Sequence, residues 1–127
     1  MINNLFLTSF KNSGTVDANI KLQITRSNKN LLKGWIHIPQ LSPSWALFNA
    51  VLDWKMQLVW DKKWEEYKEK FLKEMSRTEP QRYLRHIALR LKEGNRIALA
   101  CYCPDEEFCH RRLVKELVEK ILKNEQL

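Results

Sequence analysis

Between Arg96 and Pro104 the chain reads Ile97-Ala98-Leu99-Ala100-Cys101-Tyr102-Cys103, apolar at consecutive positions instead of alternate ones. Successive side chains of a strand point to opposite faces, so a strand of this kind must be covered on both sides. That condition describes the central strand of a parallel sheet with helices packed on it. Pro104 stops the strand because it has no N–H to donate. Asp105 is a natural N-cap for a following helix, with Glu106 and Glu107 in its positive first turn. Leu113, Val114, Leu117, Val118, Ile121 and Leu122 then recur at helical spacing.

The rest of the chain supplies partners for that strand. Leu5-Phe6-Leu7 leads into Thr8 and Ser9 as a short buried strand. Lys11-Asn12-Ser13-Gly14 is loop chemistry. Ile20, Leu22 and Ile24 alternate with Lys21, Gln23 and Thr25, the period of a half-buried strand ending at Arg26-Ser27-Asn28. Trp35-Ile36-His37-Ile38 is expected to be a further short strand or extended segment. Ser42 or Ser44 can cap a helix near Trp45, with Pro43 suited to its first turn and Ala46, Leu47, Ala50, Val51 and Trp54 on its apolar face. Trp60, Trp64, Tyr67, Phe71 and Met75 follow at spacings of four, three, four and four, with Asp61 as the candidate cap. An aromatic stripe of this kind reads as core and not as a base-stacking platform. Thr78-Glu79-Pro80 opens another helix, with Tyr83, Leu84, Ile87, Ala88 and Leu91 buried, and Gly94 stands where a left-handed C-terminal residue is wanted. His86 beside that face reads as packing or surface.

These elements predict a small single α/β domain over residues 1–127. Its sheet is expected to be mostly parallel, of about three to five strands, flanked by helices in a Rossmann-like three-layer arrangement. A length of 127 residues suits one domain, and 44% hydrophobic content with five tryptophans supplies a core. No apolar run reaches the length of a membrane span and no leader pattern opens the chain, so a cytoplasmic protein without membrane attachment is expected. Three cysteines in one local cluster are not a disulfide framework and point to reduced thiols. The net charge of +7 favours an anionic partner, either a small molecule or a nucleic acid, although a solvated basic surface would give the same figure.

In a parallel sheet, ligands bind beyond the carboxyl ends of the strands. Three predicted strand ends carry polar or reactive groups: Thr8 and Ser9; Arg26 and Ser27; and Cys101 and Cys103 with Cys109, His110 and Arg111 beyond them. Zinc is one reading of Cys101, Cys103, Cys109 and His110. Against it, residues two apart on a strand lie about 6.5 Å apart, and neighbours on a helix diverge by about 100°. A tetrahedral site therefore needs irregular backbone, and no metal is expected. A reactive thiol is the second reading. Cys109 would sit near a helix N-terminus, where N–H groups favour a thiolate, with Arg111 adding positive charge and His110 as base or acid. The same N-terminus could hold a phosphate, though Glu106 and Glu107 oppose an anion. A third reading makes Cys101 and Cys109 small residues that pack strand against helix. The last two stand level. Arg112 and Lys115 read as solvent-facing.

The segment LACYCPDEEFCHRRLVKEL resembles the strand, loop and Cys-His-Arg helix start of the family called domain of unknown function 488. LTSF, ITRSN and LSPSWALF resemble that family's other elements in matching order. The resemblance implies a compact α/β domain with Thr8, Ser9, Arg26, Ser27, Cys101, Cys109, His110 and Arg111 around one pocket. It implies no reaction. Cys103 departs from the family's pattern, which weighs further against zinc, and the short link between the first two strands is expected to be a turn. Thr8, Ser9, Arg26, Ser27, Cys101 and Arg111 are then the expected ligand-binding residues, with Cys109 and His110 as the catalytic pair and no cofactor. The ligand expected is phosphate-bearing or nucleotide-like. Two alternatives are a non-catalytic nucleic-acid-binding protein using Arg77, Arg82, Arg85, Arg90, Lys92 and Arg96, and a structural zinc module.

Overall fold

The chain's structure is a computed structural model that describes residues 4–101 and 109–125. Four strands, β1 (Leu5–Ser9), β2 (Ile20–Gln23), β3 (Ile36–His37) and β4 (Ile97–Cys101), form one sheet in the order β1-β4-β2-β3. All neighbours are parallel, with Ser9 opposite Cys101 and Leu22 opposite Leu99. The helices are α1 (Trp45–Met56), α2 (Trp60–Met75), α3 (Thr78–Lys92) and α4 (His110–Glu125).

β4 is central, and all five of its residues are buried. The doubly apolar segment thus occupies the position its pattern demands, between two parallel neighbours and covered on both faces. Its expected last residues, Tyr102 and Cys103, lie outside the described residues. So do Pro104, Asp105, Glu106 and Glu107. The helix they were expected to cap and open begins only at His110. Cys109 therefore immediately precedes the helix and is not held to helical geometry.

β1 and β2 are joined by a single 3-10 turn, Ser13–Thr15, in agreement with the short link in the sequence. Because the last strand inserts between them, β1 and β2 are not neighbours. β2 and β3 are parallel neighbours connected by residues 24–35 without a helix. That loop turns at Asn30 and Gly34, both of positive φ. It is anchored to Gln23, whose Oε1 accepts from Leu32 N at 2.9 Å while its Nε2 donates to Thr25 Oγ1. This corrects the half-buried reading of β2: Gln23 and Thr25 are 1% and 4% exposed, because their polar atoms have partners inside.

The aromatic stripe of α2 is core, as its spacing predicts: Trp64, Tyr67, Phe71 and Met75 are buried. They join Leu84, Ile87 and Leu91 of α3, Leu113, Val114 and Val118 of α4, and Leu99 of β4 in one cluster. Each such side chain stabilises the fold by about 1.5–3 kcal/mol. The cap of α2 is Val59 and not Asp61, which falls in the first turn. Ser44 caps α1 by accepting from Leu47 N, which leaves Pro43 before the helix instead of in its first turn. α3 ends as expected at Gly94, φ +96°, where Gly94 N donates to Leu91 O and Asn95 N to Arg90 O. These two bonds close the helix carbonyls that would otherwise lack donors. α1 differs from expectation. It is apolar around most of its circumference, yet only Leu47 is buried, while Trp45, Leu52 and Met56 are exposed. Among the described residues no helix is long and apolar enough to cross a membrane.

Candidate functional site

The carboxyl ends of β4 and β2 open into a cavity of roughly 400 Å³. That is within the range of small-molecule sites. Its floor is Cys101 at the end of β4 and Cys109 and His110 at the start of α4. Thr25, Arg26 and Ser27 follow β2 on one side. α1 and α2 supply the remaining wall, with Phe48, Val51 and Lys55 from α1, and Trp60 and Tyr67 from α2.

Cys101 and Cys109 are both buried, with their sulfurs 2.9 Å apart. The Cys109 Sγ is 3.8 Å from His110 Nδ1. His110 Nε2 lies 2.6 Å from Ile24 O, which can only accept, so Nε2 carries the proton and Nδ1 is left as an acceptor toward Cys109. Burial pushes His110 down to about 4, because an imidazolium there would lose its water; the Ile24 hydrogen bond opposes this only in part, and Arg111 and Arg26 add repulsion. The ring is neutral at pH 7 and packs edge-on against Phe71.

The two sulfurs and one imidazole nitrogen lie within 4.8 Å of one another. The divergence expected between positions 109 and 110 does not arise, since only His110 is helical. Cys103, the other sequence-level metal candidate, lies outside the described residues.

Arg111 is placed differently from the expectation of a ligand-neutralising group. It is 2% exposed and does not line the cavity. Its Nη1 donates to Thr8 O at 2.7 Å and reaches Cys101 Sγ at 3.7 Å, while its buried Nε has no hydrogen-bond partner among the described residues. Thr8 and Ser9 likewise stand outside the lining. Thr8 acts through its backbone carbonyl, tying β1 to α4. Of the eight candidate residues, the fold brings Arg26, Ser27, Cys101, Cys109 and His110 to the cavity, and it sets Thr8, Ser9 and Arg111 behind or beside them.

Arg26 also seats the wall. Its Nε donates to Pro43 O at 2.8 Å and its Nη2 to Ser42 O at 3.1 Å. Burial lowers its affinity for the proton and nearby Glu74 raises it. Glu74 in turn accepts from Ser44 N and Oγ, so Arg26 and Glu74 together hold the entry to α1. Thr25 and the wall residues Phe48, Val51, Lys55, Trp60 and Tyr67 were not singled out as site residues from the sequence. A signal was present: a helix apolar around most of its circumference, as α1 is, has more apolar surface than one core face can bury.

Arg77, Arg82, Arg85, Arg90, Lys92 and Arg96 are all exposed, on or next to α3, and none lines the cavity. Arg90 pairs with Glu93, and Arg96 pairs with Asp17 and lies over Phe6.

No curated protein matches the chain, and no solved structure does. The family model DUF488-N3a, described as the active DUF488-N3 subclade, matches residues 15–122. The match starts after β1, so it includes Arg26, Ser27, Cys101, Cys109, His110 and Arg111 but not Thr8 or Ser9. With Cys109 and His110 of the Cys-His-Arg sequence at the floor of the cavity and most of its length matched, this chain belongs to the DUF488 family.

Proposed function

We propose that the protein is a thiol-dependent enzyme whose cavity binds a small, planar, anionic molecule of nucleotide-like chemistry. The observation that carries this reading is the series Cys109 Sγ, His110 Nδ1, Nε2–H, Ile24 O, which ends at the floor of the cavity. A neutral imidazole with its far nitrogen hydrogen-bonded and its near nitrogen turned to the sulfur is oriented to take a thiol proton. Cys109 is the nucleophile, His110 its base, and the Ile24 carbonyl orients the ring. Cys101 extends the floor, and Arg111 positions it from behind.

The ligand class follows from the walls. Trp60 and Phe48 offer flat apolar surface for a ring. Arg26 and Lys55 supply positive charge for a phosphate or carboxylate, and Thr25 and Ser27 supply hydroxyls. The lining is more apolar than a site for bare phosphate would be, which favours a ring-bearing anion. The test pairs ligand titration with thiol reactivity. Nucleoside monophosphates should raise the melting temperature more than inorganic phosphate. Alkylation of Cys109 should be fast at neutral pH, and about a hundredfold slower in His110→Gln, the scale of a lost general base. An alkylation rate unchanged by His110→Gln would sink the reading.

A second reading, a nucleic-acid surface on α3, is favoured by four exposed cationic residues on that helix, Arg82, Arg85, Arg90 and Lys92, with Arg77 and Arg96 beyond its ends. It requires binding that weakens steeply with salt, by about 0.9 in log K per log unit of salt for each phosphate contact. Alanine substitutions at Arg82 and Arg85 should flatten that slope.

A further inference from the structure

We infer that Cys101 and Cys109 are a dithiol–disulfide couple, with Cys109 as the attacking thiol and Cys101 as the resolving one. Three observations converge on this. The sulfurs are 2.9 Å apart although Cys101 ends a strand and Cys109 precedes a helix eight residues later. Both line the cavity, so a small oxidant that enters it meets both. Each has its own activating group: His110 Nδ1 beside Cys109, and the Arg111 guanidinium beside Cys101.

The charge of Arg111 is the decisive part. A guanidinium that is 2% exposed needs an anion nearby, because burying an unpaired charge is costly. Among the described residues no carboxylate pairs with Arg111. Its partners are the Thr8 carbonyl and the Cys101 sulfur. Of these, Cys101 is the one that can become negative. A Cys101 thiolate beside the Cys109 thiol accounts for the buried cation, because it places a negative charge within reach of the Arg111 guanidinium. A thiolate held against a cation is also the form in which a resolving cysteine attacks.

The reaction is thiol–disulfide exchange with a small disulfide. Cys109 passes its proton to His110 and attacks one sulfur of the incoming disulfide. That S–S bond breaks, and the departing thiolate leaves with the proton from His110. Cys101 then attacks Cys109 Sγ, and the second thiolate departs and takes a proton from water. The two protein thiols are oxidised by two electrons, and the external disulfide is reduced to two thiols. If Cys109 is the nucleophile proposed above, the oxidised chain is a reversible off state. That consequence rests on the proposed activity, whereas formation of the disulfide does not.

The experiment uses the full chain carrying Cys103→Ser, so that only one intramolecular pair can form. It is equilibrated in glutathione buffers of increasing oxidised fraction, quenched by alkylation, and weighed by mass spectrometry. The expected product is lighter by two hydrogen atoms and cannot be alkylated, and dithiothreitol restores the thiols. Adding Cys101→Ser should instead trap the glutathione mixed disulfide on Cys109. Accumulation of mixed disulfide in the chain that retains Cys101, or no loss of mass at any ratio, overturns the couple. Alkylation of Cys109 against pH in the Cys101→Ser chain separately reports whether Cys109 is an activated thiol. Failure of the couple and failure of the proposed activity are thereby distinguished. Circular dichroism confirms that each variant is folded.

Discussion

At the junction of β4 and α4, Cys101, Cys109 and Arg111 are 1%, 3% and 2% exposed, and polar atoms there have partners on β1 and after β2. On the opposite wall, Leu52 of α1 is 45% exposed, and Met56 at the end of the same helix, outside the cavity lining, is 84% exposed. That wall is held by stacked rings, Trp54 on Trp60 at 6.3 Å, and by Lys55, Lys63 and Lys70 over those rings. At the β4–α4 end of the cavity, removing His110 or Arg111 takes a side-chain donor from the Ile24 or Thr8 carbonyl. The receiving end is built from contacts that are individually weak and open to water. Such a division would give fixed geometry to the reacting groups of the proposed activity and let the wall accommodate its ligand.

The sharpest way to break this contrast is Arg111→Met. It strips Thr8 O of its donor and Cys101 of its cation, and should cost about 3 kcal/mol or more in urea unfolding. A loss below about 1 kcal/mol would mean that the floor is no more constrained than the wall.

Acid should act almost as strongly on the floor. His110 in the folded chain takes its proton only near pH 4, against the ordinary value of 6.5. As pH falls, the unfolded chain binds that proton first, so stability declines between about pH 6.5 and pH 4 and then levels. The full change is up to about 3 kcal/mol. His110→Gln should remove this component from the pH dependence of unfolding.

Smaller effects are expected on the wall. Trp60→Ala should weaken a bound nucleotide about tenfold, on the scale of a lost aromatic face. Calorimetric titration measures this, and an unchanged affinity would place the ligand elsewhere. Met56→Ala should change stability by less than about 0.5 kcal/mol, since the side chain leaves water only slightly on folding. A larger loss would show that α1 packs more tightly than its exposure implies.

Much of this could be read along the chain. The consecutive apolar residues of β4, the spacing of Trp64, Tyr67, Phe71 and Met75, and Gly94 after α3 each reflect a local rule: side-chain period, or the freedom of glycine at positive φ. The candidate residues at the cavity were legible by type, since Cys109, His110 and Arg26 are chemically distinctive. Thr25 and the wall from Phe48 to Tyr67 were not, because apolar residues that line a cavity look like core residues.

Local order in the chain thus settles that there is an α/β fold, that β4 is its covered strand, and that thiols and an imidazole gather at its end. Strand order, the placing of α1 beside the cavity, and the separate duties of the cationic residues came from packing in three dimensions. β4 inserts between β1 and β2, so Arg111 can reach the Thr8 carbonyl and is taken up behind the floor, while Arg26 remains at the opening. Two arginines of the same chemistry differ in role because burial and the nearest carbonyl, neither of them written in sequence spacing, decide where each charge points.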